Sequence, residues 1–128
     1  MANKTLTIIE SAYRATVEEQ DDTAVWITHA MKGAGGEFSV LLRGNAVNYA
    51  VNGQDASGLS FGDWKQTQPP AIASDLAALA AKGVEICYVA EDLTERGIER
   101  NELINGAQPV ARAAVAQLVG SYGRVWYW

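Results

Sequence analysis

Apolar and polar positions along this chain follow two rhythms, a two-residue alternation and a helical one, and they exchange places repeatedly. KTLTIIES (4–11) is a short β-rich run and predicts a first strand. SAYRATVEEQDDT is polar and reads as a loop. DDTAVWITHAMKGAGG follows, predicting a helix whose inward residues are Val25, Trp26, His29 and Ala30, at helical spacing. Asp21 or Asp22 caps that helix, and Gly33, Gly35 and Gly36 end it. EFSVLLRG (37–44) predicts a second strand, and NAVNYAVNGQ (45–54) a short helix stopped by Asn52-Gly53. Residues 53–69 form the longest irregular segment, rich in Gly, Ser, Asp and Gln. IASDLAALAAKG (72–83) is an Ala/Leu helix closed by Gly83. VEICYVA (84–90) is almost continuously apolar, as strands covered on both faces are. DLTERGI (92–98) predicts a short helix, AQPV a short strand, ARAAVAQLVGSYG (111–123) a last helix and RVWYW (124–128) a terminal strand.

Strands and helices therefore alternate, and the connections are long enough for helical crossovers. That pattern predicts a parallel sheet with helices on both faces, within one domain spanning residues 1–128. In such sheets ligands and reactive groups gather beyond the C-terminal ends of the strands. Three stretches qualify: Ser11 to Arg14, Arg43 to Asn48, and Ala90 to Arg96.

Composition narrows the functions. A net charge of −5, with no Lys/Arg-rich run, argues against a nucleic-acid partner. The apolar runs fall well short of the roughly 18 residues of a membrane span. The first residues lack the long apolar core of a signal peptide. The one cysteine excludes an internal disulfide and fits a cytoplasmic location. With one His and one Cys far apart, no metal site is expected, and no cofactor either. GxGxxG and Walker A patterns are both missing.

The three strand ends offer different chemistry. Ser11, Tyr13 and Arg14 supply a hydroxyl, a phenol and a guanidinium, suited to an anion or a partner's backbone. They also suit a plain polar loop, with Arg14 paired to Glu18 or Glu19. Arg43, Gly44 and Asn45 make a turn into a helix whose N-terminus holds an anion, or simply a capped helix packing Val47 and Val51. At the third end, a helix start near Asp92 and the charge of Arg96 are of the kind that activates a thiol. Cys87, however, lies three residues back from that turn, roughly 10 Å at about 3.3 Å per residue. Alternation puts it with Glu85 and Val89 on one face, and Glu91 and Asp92 would raise a nearby thiol's pKa. Cys87 thus reads as a buried strand residue, with a nucleophile as the rival. His29 reads as a helix-face histidine with a local partner rather than as a base. Of the four tryptophans, Trp64 in the irregular segment and Trp128 at the terminus are candidate interface residues. Core packing is the alternative for Trp64.

Taken together, "VLLRGNAV…NGQ" and "LAALAAKGVEICYVAEDLTERGIERNELINGAQPV", followed by an aromatic terminal strand, resemble the DsrE/DsrF/DsrH family of small sulfur-handling proteins. The chain is most similar in character to the TusC/DsrF-type subunits of sulfur-relay complexes. The most specific part is Gly83 through Gly97, above all Glu95-Arg96-Gly97-Ile98; Arg43 to Gln54 is a weaker match. The resemblance implies a three-layer α/β/α sandwich around a mostly parallel sheet of about five strands. It also implies assembly into trimers or hexamers with copies of itself or related subunits, and a sulfur-carrier protein as a partner. In active members a cysteine near the end of the third main strand, just before the "RGI" element, carries persulfide sulfur. Here those positions hold Ala90, Glu91 and Asp92, and Cys87 falls earlier. The resemblance therefore implies a binding or structural subunit of sulfur relay. The alternatives are a sulfurtransferase using Cys87, and a small-ligand module built from Tyr13, Arg14, Asn45, Glu91 and Asp92.

Overall fold

Five short strands, of which the three central ones are almost fully buried, pair side by side in the computed structural model, which describes residues 3–13, 22–54 and 58–128. They are β1 (Thr5–Ile9), β2 (Phe38–Leu42), β5 (Glu85–Val89), β6 (Gln108–Val110) and β7 (Arg124–Tyr127), in the spatial order β6-β5-β2-β1-β7. All four pairings are parallel. The two remaining strands, β3 (Ser60–Phe61) and β4 (Trp64–Lys65), form a separate antiparallel hairpin. It lies inside the segment expected to be irregular. Two-residue strands carry too little alternation to register in a sequence pattern.

The two faces of the sheet are covered unequally. The first face presents Ile9, Val40, Leu42, Ile86 and Tyr88. Against it pack α1 (Thr23–Gly33), a 3₁₀ helix (Gly44–Ala50), α2 (Ile72–Ala81) and α3 (Ala90–Glu95). Their buried residues include Val25, Val47, Tyr49, Leu76, Leu79 and Leu93. The second face presents Leu6, Ile8, Leu41, Cys87 and Val89. Its cover is a 3₁₀ turn (Arg112–Ala114) and the six-residue α4 (Val115–Gly120). No residue of α4 is fully buried; Val115, Leu118 and Val119, with Tyr122 beyond, are only partly covered. This connection joins β6 at one edge to β7 at the other, so it crosses the whole sheet.

Three expectations are corrected. Trp26 and Ala30 do not face inward: Trp26 is 55% exposed, and the buried positions of α1 are Ala24, Val25 and Thr28. Thr28 tolerates burial because its hydroxyl donates to Ala24 O at 2.7 Å. The last helix is not continuous over 111–123 but a 3₁₀ turn and α4. The short helix after β5 runs Ala90–Glu95 rather than 92–98. It stops because Gly97 takes φ 68°, a left-handed conformation that ends helices. No helix among the described residues is long and apolar enough to cross a membrane.

Candidate functional site

The C-terminal ends of β1, β2 and β5 lie in register, so the residues after them meet. Gly44 opens the 3₁₀ helix after β2 with φ 55°. A side chain there would be strained, and its Cβ would sit 3.3 Å from Glu10 Cγ after β1. The Gly44 amide is aimed across the sheet top and donates to Asp92 Oδ2 at 2.7 Å. The other Asp92 oxygen takes a 2.6 Å ion pair from Arg112, which also reaches Glu95 Oε1 at 3.0 Å. Arg112 donates its backbone N–H to Glu91 Oε1 at 2.9 Å. Arg96 Nε donates to Asn45 Oδ1 at 2.9 Å, and its Nη1 to Asp92 O at 3.0 Å. Burial alone would raise the Asp92 pKa. The Gly44 amide and the Arg112 and Arg96 cations outweigh it and hold the carboxyl below its usual range.

Asn45, Glu91, Asp92 and Arg96 are thus brought together at one edge of the sheet. They share a network of bonds that runs through Asp92, Arg96 and Arg112. Arg112, its central cation, was missed. It lies twenty residues from Asp92 in a stretch that read as ordinary helix, and only the β6 connection returns it to the β5 end. Arg43 sits at the same edge with its amide bonded to Ile9 O at 3.0 Å. Beside it the Tyr127 hydroxyl donates to Glu10, and that carboxylate raises the phenol's pKa.

Tyr13 takes other partners. It adopts φ 59°; its hydroxyl donates to Gln54 Oε1 at 2.6 Å, and its amide to the Tyr49 hydroxyl. Tyr49 in turn donates to Asp22 Oδ2 at 2.6 Å, inside the core. Asp22 Oδ1 caps α1 by accepting from Ala24 and Val25 at 2.9 and 3.1 Å. Of the two cap candidates it is therefore Asp22 that is seen to cap. Arg14 and Asp21 lie outside the described residues, as do Glu18 and Glu19. Tyr13 and Gln54 border a cavity of about 310 Å³, closed on the other side by Pro70 to Ser74 at the start of α2. His29 Nε2 lies 2.8 Å from Asp75 O, a local partner on α2.

Cys87 lies on the second sheet face, in register with Leu41, and is 3% exposed. Its Sγ donates to Glu85 Oε1 at 3.2 Å, along the same strand face. Burial first, then the Glu85 carboxylate, push the thiol pKa up to about 12. Little thiolate exists near neutral pH at such a value. Trp64 is exposed on the β3–β4 hairpin, its ring 5.7 Å from that of Phe61. Trp128 packs partly buried against the main core. Among the described residues, no three of His, Cys, Asp and Glu are grouped to hold a metal ion.

A parallel five-stranded sheet with helices on both faces and a polar cluster at its C-terminal edge defines an α/β/α sandwich. The chain belongs to the DsrE/DsrF-like family, a family associated with sulfur relay, which it matches over residues 7–126. Its fold is similar to that of the YchN protein of E. coli, with TM-score 0.74 at 18% identity and full coverage of both chains. It is also similar to MTH1491 of Methanobacterium thermoautotrophicum, with TM-score 0.59 at 15% identity over 94% of this chain and 97% of that one. No curated protein sequence gives a significant match.

Proposed function

We propose that this chain is a non-carrier member of its family, a binding or structural subunit of intracellular sulfur relay. The observation that carries this reading is the state of Cys87. It is buried, bonded to a carboxylate and held protonated, the opposite of an activated thiol. Where the family resemblance would put a carrier, Glu91 and Asp92 are occupied in bonding Arg112 and Gly44. The partners of this reading are further copies of the chain or related subunits, together with a sulfur-carrier protein. The exposed Phe61 and Trp64 of the hairpin suit such a contact, since aromatic residues are enriched at interfaces. The native protein is then expected to react with a thiol reagent at least about a hundredfold more slowly than an unstructured cysteine peptide. Labelling at the peptide's rate would overturn the reading.

A second reading has its own observation. The cavity beside Tyr13 and Gln54 is large enough for a small half-polar molecule. A thermal-shift screen of small metabolites tests it. A rise in Tm that disappears in Tyr13→Ala supports a ligand site there, and no shift across the screen counts against one.

A further inference from the structure

The connection that covers Cys87 is held in an unusual way. The backbone amides of Ala114, Ser121 and Tyr122 donate within the segment, to Ala111, Leu118 and Val119. The segment is pinned before it by β6, where Val110 pairs with Val89. Behind it, Gly123 N donates to Lys4 O at 3.1 Å. Between these pins its charged attachment is Arg112, with two carboxylates on the side chain and a third on the amide, and the Tyr122 hydroxyl near its far end is hydrogen-bonded to Ser39 of β2. Beside these bonds, Val115, Leu118, Val119 and Tyr122 make shallow apolar contact with the sheet. The Arg112 side chain is 48% exposed, so water and salt compete for its ion pairs.

We propose that residues 111–122 form a hinged strap over the second sheet face, clasped by Arg112 on Glu91, Asp92 and Glu95. Opening of this strap, rather than unfolding of the sheet, is the route by which Cys87 meets solvent. The first face is packed more deeply: several helices bury residues against it, and the Tyr49–Asp22 bond lies inside that core. Local opening of shallowly packed elements below the global unfolding free energy is general in proteins. The proposal rests on Cys87 being buried in the closed state, as the non-carrier reading does. It adds how that burial is relieved.

The test is native-state labelling of Cys87 by a small thiol reagent, with amide hydrogen exchange alongside. Arg112→Ala is expected to label about tenfold faster than the parent chain, at a rate flat in low urea. Amides of 112–122 should exchange faster while those of β5 keep their protection. Added salt should speed labelling of the parent chain and leave Arg112→Ala unchanged. Glu95→Gln, which removes one exposed ion pair, should show a smaller rise and covers the case in which Arg112→Ala does not fold. Labelling unchanged in both variants overturns the strap. So does labelling that rises with urea along the global unfolding slope, with β5 amides exchanging in step. Either failure leaves the slow labelling demanded by the non-carrier reading intact, so the two claims fail separately.

Discussion

The Cys87 thiol and the Glu85 carboxylate lie 3.2 Å apart on one face of β5, two residues apart, as strand alternation dictates. A carboxylate in that position stabilises S–H and opposes S⁻. Removing it should therefore free the thiol only in part, because burial is the larger cause of the raised pKa. In Glu85→Gln we expect labelling at pH 8 to rise by less than about tenfold, with the titration midpoint moving down from about 12 but staying above the ordinary thiol value. A pH series of labelling rates checks this.

Cys87→Val fills a similar volume in an apolar setting and should change stability by less than about 1.5 kcal/mol. Cys87→Asp would bury a second carboxylate beside that of Glu85 under the strap. It is expected to destabilise by about 3 kcal/mol or more, or to prevent folding. Urea denaturation distinguishes the two.

Asp92 ties three strand-end elements together. Its folded pKa lies below the unfolded one, so its contribution is fully present above the unfolded value and is lost as pH falls through the folded value. Stability should therefore fall as pH drops through and below the ordinary carboxylate range, and the profile of Asp92→Asn should be flatter there. At neutral pH Asp92→Ala should cost on the order of 1–2 kcal/mol, since the Gly44 amide loses its acceptor while the Arg112 end of the pair remains in water.

Much of this architecture was legible in the sequence. The strands at 5–9, 38–42 and 85–89 are apolar runs bounded by polar turns, and their burial on both faces is what such runs signify. Asn45, Glu91, Asp92 and Arg96 could be placed together because parallel sheets gather the residues after their strands. Trp26 was misread because α1 packs along Ala24, Val25 and Thr28, a face whose threonine looks polar in sequence. Arg112 was invisible because nothing local marks an arginine as the cation for a carboxylate twenty residues away. Only the crossing from β6 to β7 brings it there.

The Tyr49–Asp22 bond couples the 3₁₀ helix to the start of α1 inside the core. Tyr49→Phe removes a donor from a buried carboxylate that keeps only its cap bonds as described partners. It should destabilise by about 1–3 kcal/mol in chemical denaturation. Asp22→Ala should cost at least as much, because it removes the helix cap as well.

The central claim, that this chain does not carry sulfur, is tested most directly by intact-mass measurement after incubation with a persulfide-charged donor protein. The expected result is an unchanged mass for the native protein, with no sulfur added at Cys87. Stoichiometric gain of one sulfur atom on Cys87, abolished in Cys87→Ala, would contradict it and make the chain a carrier.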